Sequence, residues 1–251
     1  MAETCVEMAD ATELPAAFAD LAAAMPLPLR ALLVQNAPPE SVNAADIAAS
    51  IEDLLLGMPM GRASDAHTLP GLLDARCCEV LRDAVDSQHE HERDTVDGAE
   101  DLQLNLTYDA LAALVGADRV EAVVAAGRDL DAQRGGRSRE LPLVEAFIRR
   151  YSPTSRPWHP FHQDRAAVTV NVALSDDAHH GGGRLLGLFA DGAAVFERRA
   201  GDATVHLSRI VHGVSRMTSG TRYALIIFLG HEPAVRRVIG ANGEWTREVV
   251  E

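Results

Sequence analysis

Trp158-His159-Pro160-Phe161-His162-Gln163-Asp164-Arg165 opens the stretch on which the reading of this chain turns, and Gly220-Thr221-Arg222-Tyr223 closes it. His162 and Asp164 are two apart, so on an extended backbone both side chains leave the same face and can grip one ion. A third ligand is available in Ile210-Val211-His212-Gly213-Val214, 48 residues after Asp164. Two imidazoles and one carboxylate on one triangular face leave three coordination positions open, the ligand set of non-haem Fe(II) sites. Arg222, ten residues beyond His212, reads as the anchor for the far end of a small chelating anion.

The surroundings of these residues are strand-like. Val144 to Tyr151, Ala166 to Leu174, Arg184 to Phe189, Ala193 to Arg198, Ala203 to Leu207, Ile210 to Val214 and Arg222 to Leu229 are short β-prone runs punctuated by Gly and Asp. Such spacing predicts a sandwich or barrel with hairpin connections, a jelly roll, rather than βαβ units. In Ala166 to Leu174 the aliphatic face (Val168, Val170, Val172, Leu174) is expected beneath helices. The opposite face, Thr169, Asn171 and Ala173, is expected to line a polar cavity, which makes Asn171 a candidate pocket residue. Gly181-Gly182-Gly183 precedes a strand, so it reads as a tight turn and not a phosphate loop. The other histidines compete less well for a metal. His159 is out of phase with His162 and Asp164 and reads as a loop or supporting group, His179 and His180 as solvated, and His206 as an interior hydrogen-bonded residue.

Together, His-x-Asp, the run Gly201 to Val214 and Thr218-Ser219-Gly220-Thr221-Arg222-Tyr223-Ala224-Leu225 resemble the Fe(II)/2-oxoglutarate-dependent dioxygenases of the prolyl 4-hydroxylase type, over roughly Leu69 to Leu229. The resemblance implies an α+β chain with a double-stranded β-helix (a jelly-roll or cupin-like barrel). It implies His162, Asp164 and His212 as catalytic iron ligands, Arg222 as the partner of the distal carboxylate of 2-oxoglutarate, and Tyr151 as a hydroxyl that helps hold this cosubstrate. The implied cofactors are Fe(II) and 2-oxoglutarate, with ascorbate as an optional reductant. The implied partners are O2 and a small-molecule or peptide substrate, hydroxylated at a C–H bond with release of succinate and CO2. Asp164 itself favours hydroxylation, since related halogenases carry a small residue there. Two departures stand out. Relatives often place a hydroxyl residue two after the arginine, where this chain has Ala224, and Pro four after the distal histidine, where it has Arg216. The alternative is a non-catalytic, cupin-like module that binds metal and 2-oxoglutarate without turnover.

The rest of the chain supports this centre. Residues 1–66 read as an Ala-rich helical extension. It has a helix from Pro15 to Met25, a break at Pro26 and Pro28, and a second helix from Ala44 to Leu56 with Asn43 as its cap. Residues 67–251 form the expected dioxygenase domain, with helical support over 67–140 and the β-helix core over 141–230. That support comprises helices from Asp74 to Ser87, Tyr108 to Val115 and Ala117 to Gln133. His89-Glu90-His91-Glu92 reads as a solvated loop. Trp158, Arg156 and Arg165 flank the His-x-Asp segment, either at the cavity entrance or as packing.

Composition narrows the function classes. All 23 basic residues are Arg, and without Lys there is no Schiff base, no PLP attachment and no P-loop lysine. Residues 1–140 carry 26 acidic groups against 10 Arg, which argues against nucleic acid, whereas 141–251 carry 11 against 13 and suit a small dianion. Cys5, Cys77 and Cys78 are odd in number, and with no signal pattern or long apolar run the expectation is a reduced, cytoplasmic protein without a membrane span.

Overall fold

The computed structural model describes residues 14–25, 27–40, 42–57, 60–88, 90–93, 99–135, 141–231, 234–239 and 245–250. Three helices come first, α1 (Ala16–Ala24), α2 (Leu27–Gln35) and α3 (Ala44–Gly57). They are followed by β1 (Ala66–Leu69), α4 (Ala75–Gln88), β2 (Glu90–Arg93), β3 (Glu100–Asn105), α5 (Tyr108–Val115) and α6 (Ala117–Gln133). Then come β4 (Leu143–Tyr151), β5 (His159–His162), β6 (Ala166–Ala173), β7 (Leu185–Phe189), β8 (Gly192–Phe196), β9 (Ala203–Leu207), β10 (Val211–Val214), β11 (Arg222–His231), β12 (Ala234–Ile239) and β13 (Trp245–Val250).

The strands make a seven-stranded antiparallel sheet in the order β1-β9-β6-β11-β4-β3-β2, a four-stranded sheet β5-β10-β7-β8, and a separate β12-β13 hairpin. The first two form the double-stranded β-helix, and residues of both line one cavity between them. Helices cover the outer face of each sheet. Against the large sheet, Val168, Val170 and Val172 meet Val120, Val123, Val124 and Leu130 of α6 together with Leu81 and Val85 of α4. Each fully buried valine contributes roughly 1.5–2 kcal/mol of apolar burial. The approach is close enough that a Cβ at Gly127 of α6 would overlap Leu229 Cδ1 and lie 3.1 Å from Val170 Cγ2. Against the small sheet, Phe18, Leu33 and Ile51 of α1–α3 pack on Trp158, Phe161, Leu186, Leu188 and Val211.

Local chemistry accounts for most boundaries. Asp74 caps α4 by accepting from the Cys77 N–H at 2.8 Å, and Thr107 caps α5 by accepting from Ala110 N–H. Gly116, at φ 92°, makes the αα corner between α5 and α6, a conformation costly for any other residue.

Several elements depart from the sequence expectation. Pro28 does not break the helical extension: it sits in the first turn of α2, where its missing N–H has no intrahelical partner to lose. Pro26 lies outside the described residues, as do 1–13 with Cys5. Of His89-Glu90-His91-Glu92, expected as loop, the last three belong to strand β2 (Glu90–Arg93), paired antiparallel with β3, and His89 lies outside the described residues. Strands β3, β12 and β13 were not anticipated. Cys77 and Cys78 are buried and free, and no described helix is long and apolar enough to cross a membrane.

Candidate metal centre and adjoining cavity

His162 at the end of β5 and His212 on β10 are direct antiparallel partners, which is how residues far apart in sequence come to face one another. Asp164 follows β5 and turns between them. Its Oδ1 is 3.3 Å from His162 Nε2 and its Oδ2 3.5 Å from His212 Nε2, and the three ligand atoms lie within 4.8 Å of one another. Metal–ligand bonds of about 2.1 Å at right angles place donor atoms roughly 3.0 Å apart, so this face is near the size an ion needs.

Protonation favours the same reading. His162 Nδ1 lies 2.9 Å from the Pro160 carbonyl and His212 Nδ1 3.1 Å from the Ile210 carbonyl. A carbonyl only accepts, so each Nδ1 carries a proton, and each Nε2 is the atom that faces Asp164. Burial pushes the His212 pKa down to about 3 despite the facing carboxylate, so its ring is neutral at physiological pH. The Thr169 hydroxyl donates to Asp164 Oδ2 at 2.6 Å and fixes its rotation. The His212 lone pair, the His162 Nε2 and the Asp164 carboxylate thus converge on one point, a donor set suited to a cation.

Arg222, the first residue of β11, is paired in register with Tyr151, the last of β4. Its guanidinium lies over the Tyr151 ring at 4.6 Å from the centroid. The side chain is 1% exposed, and Nε, Nη1 and Nη2 all lack a hydrogen-bond partner among the described residues. A guanidinium buried in this way is costly unless an anion meets it.

No protein-family model matches the sequence, and no curated protein is matched by it. Solved structures are similar in fold. A Pseudomonas putida prolyl-4-hydroxylase aligns with TM-score 0.51 and 21% identity, over 74% of this chain and 99% of its own. A Trichoplax adhaerens prolyl hydroxylase, in complex with a hypoxia-inducible-factor peptide fragment, aligns with TM-score 0.50 and 14% identity over 67% and 84%. HygX from Streptomyces hygroscopicus, with nickel, 2-oxoglutarate and hygromycin B bound, aligns with TM-score 0.50 and 15% identity over 66% and 83%. The fold is that of the Fe(II)/2-oxoglutarate-dependent oxygenases.

In this oxygenase fold the cavity beside the triad measures about 630 Å3. Asn171 and Tyr151 line it, as do Thr169, Asp101, Gln103 and Arg149, while Ser50 and Leu54 of α3 close one wall. Asn171 Oδ1 accepts from Arg198 Nη1 at 2.8 Å. Arg149 pairs with Asp101 at 2.9 Å and donates to Gln103 at 3.1 Å. Asp101, Gln103, Arg149 and Arg198 escaped the sequence reading. Arg149 had a signal, because it shares the strand face of Tyr151 two residues on. Arg198 had none, lying in the charged run Glu197-Arg198-Arg199.

The remaining candidates fall into place around the β-helix core. His159 is buried on β5, its ring 4.3 Å from that of His162, with Arg156 2.6 Å from Nδ1 and Arg149 3.3 Å from Nε2. His206 is interior, bonded through Nδ1 to Leu207 O, with Nε2 4.0 Å from Asp164. His179 is exposed, but His180, expected in solvent, is buried with Nε2 3.4 Å from Asp177, because the Asp177–His179 turn folds it inward. Trp158 is a packing residue whose indole donates to Asn36 O at 2.6 Å, and Arg156 is buried on Asp101 at 2.8 Å. Arg165 is exposed and lines the cavity, whereas Arg216 is exposed elsewhere.

Proposed function

We propose that the chain is an Fe(II)- and 2-oxoglutarate-dependent dioxygenase that hydroxylates a C–H bond of a polar peptide, amino-acid-like or other small-molecule substrate, with succinate and CO2 as co-products. The convergence of two imidazole Nε2 atoms and a carboxylate, in a fold that also buries the unpartnered Arg222 guanidinium, supports it most directly. His162, Asp164 and His212 would hold Fe(II), which together with 2-oxoglutarate supplies the oxygen-activating chemistry.

The chain's own residues bind, orient and exclude water. Arg222 offers a planar fork to the distal carboxylate and fixes the direction of the cosubstrate. The Tyr151 ring beneath it keeps the guanidinium in place. Thr169 holds Asp164 in the rotation that presents both oxygens toward the histidines. Asp101, Gln103 and Arg149 give the cavity wall fixed polar contacts, suited to a hydrogen-bonding substrate. The hypoxia-inducible-factor peptide fragment and hygromycin B bound in two similar structures are in keeping with a peptide or other polar substrate.

The test is succinate formation from 2-oxoglutarate with Fe(II), ascorbate and a mixed panel of peptides and amino acids. Turnover that disappears in His162→Ala is expected. Metal and cosubstrate binding without turnover across the panel would contradict the catalytic reading.

A further inference from the structure

The charged run after β8 would ordinarily sit in water, and Glu197 and Arg199 do. Arg198 turns inward and is 3% exposed. Its backbone is clamped to the Asp177–His179 turn: Arg198 N–H donates to Asp177 Oδ2 at 3.0 Å, and Asp177 N–H donates to Arg198 O at 3.0 Å. From there the side chain reaches behind the cavity wall, where Nη1 meets Asn171 Oδ1. Nε and Nη2 find no partner among the described residues, as is also true of all three Arg222 nitrogens.

The two guanidinia lie near enough for both charges to act on Asp177 and for the Arg222 charge to act on Arg198. Burial and then the Arg222 charge push the Arg198 pKa down to about 9. The carboxylates that act on Arg198 are the buried Asp177 and, less strongly, the half-buried Asp202. Asp177 is already engaged by the Arg198 N–H, by His180 at 3.4 Å and by the partly exposed Arg184 at 3.7 Å. Burial opposes the ionisation of Asp177, while His180 and the two arginines favour it, and its pKa is lowered. Two buried cations against one buried anion leave a positive charge uncompensated. One entering carboxylate brings the group to neutrality and meets the unpaired nitrogens. The neighbouring strands offer methyl groups in its place: Ala224 and Ala173 are register partners, both buried, with no hydroxyl to bind an anion.

We propose that Arg198 is a second anchor for the distal carboxylate of the cosubstrate, so that Arg198 and Arg222 grip it from two sides. This rests on the 2-oxoglutarate reading above and assigns the contact that Ala224 cannot make. Asn171 then acts as a positioning residue that aims Arg198.

The test uses the full chain loaded with Mn(II) in place of Fe(II). Calorimetry gives the Kd of 2-oxoglutarate and of 2-oxopentanoate, which has the same carbon chain without the distal carboxylate. Arg198→Met is expected to weaken 2-oxoglutarate by about 10- to 100-fold and to change 2-oxopentanoate less than about twofold. Arg198→Lys, which keeps the charge but loses the fork, falls between. The unliganded Arg198→Met protein should melt no lower than the parent, because a buried cation has gone, while the rise in Tm on adding 2-oxoglutarate shrinks. Unchanged 2-oxoglutarate affinity overturns the second anchor alone. So does an equal loss of both oxoacids with a lower unliganded Tm, which marks a purely structural role. A parent protein that binds Mn(II) without preferring 2-oxoglutarate to 2-oxopentanoate overturns the cosubstrate reading itself, and the anchor with it.

Discussion

Asn36 belongs to the helical extension, yet it is fully buried at the irregularity where β10 changes register against β5. Its Nδ2 donates to the carbonyls of His159 at 2.9 Å and Val214 at 3.0 Å, and its Oδ1 accepts from Phe161 N–H at 3.2 Å. The amide thus satisfies backbone groups that the interrupted ladder leaves over, on the two strands that carry His162 and His212. Asn36→Ala strands three buried polar groups at about 1–3 kcal/mol each, so a loss of about 3–5 kcal/mol is expected after partial relaxation. That is a large share of the 5–15 kcal/mol typical of a domain. Urea unfolding measures it, and Mn(II) titration should show weaker binding in parallel, because the histidine-bearing strands lose their clamp. Gly213→Ala should act in the same direction, since its Cβ would lie 3.0 Å from Asn36 Nδ2 and 3.1 Å from His159 O. An Asn36→Ala protein less than about 1 kcal/mol weaker than the parent, with unaltered Mn(II) affinity, would refute the reasoning.

Thr169→Val keeps the side-chain shape and removes the hydroxyl that donates to Asp164 at 2.6 Å, so Mn(II) affinity should fall about 10-fold, read by direct titration. Cys78 lies in the core with burial pushing its thiol up to about 11, above the ordinary value near 9. The folded state therefore favours the protonated thiol, and this contribution is complete below pH 9 and lost as pH rises toward 11. Urea midpoints taken across that window should decline. Thiol labelling at pH 9 should modify Cys78 only in denaturant.

Much of the molecule was legible where one face of an element is apolar and the other polar. The valine row of β6 implied helices above it and a polar cavity below, and Thr169 and Asn171 do line that cavity. Helices α5 and α6 have the bounds expected from the sequence, Tyr108–Val115 and Ala117–Gln133. Legibility fails where polar groups are buried in pairs. In β3 the aliphatic side chains face the helices while Asp101 and Gln103 are buried toward the cavity, and their partners Arg149 and Arg156 are supplied by distant segments. His180 and Arg198 are hidden for the same reason, since Asp177 gathers both from across a loop. His-x-Asp was visible as spacing, but its meeting with His212 depends on the register of β5 against β10, which no local pattern encodes.

The account turns on His162, Asp164 and His212 closing on one ion, and metal stoichiometry tests that most directly. Anaerobic titration of the metal-free chain with Fe(II) should give one tightly bound ion per chain, with binding lost in Asp164→Ala and in His212→Ala while both variants remain folded by circular dichroism. Folded variants that bind the ion as tightly as the parent would contradict it.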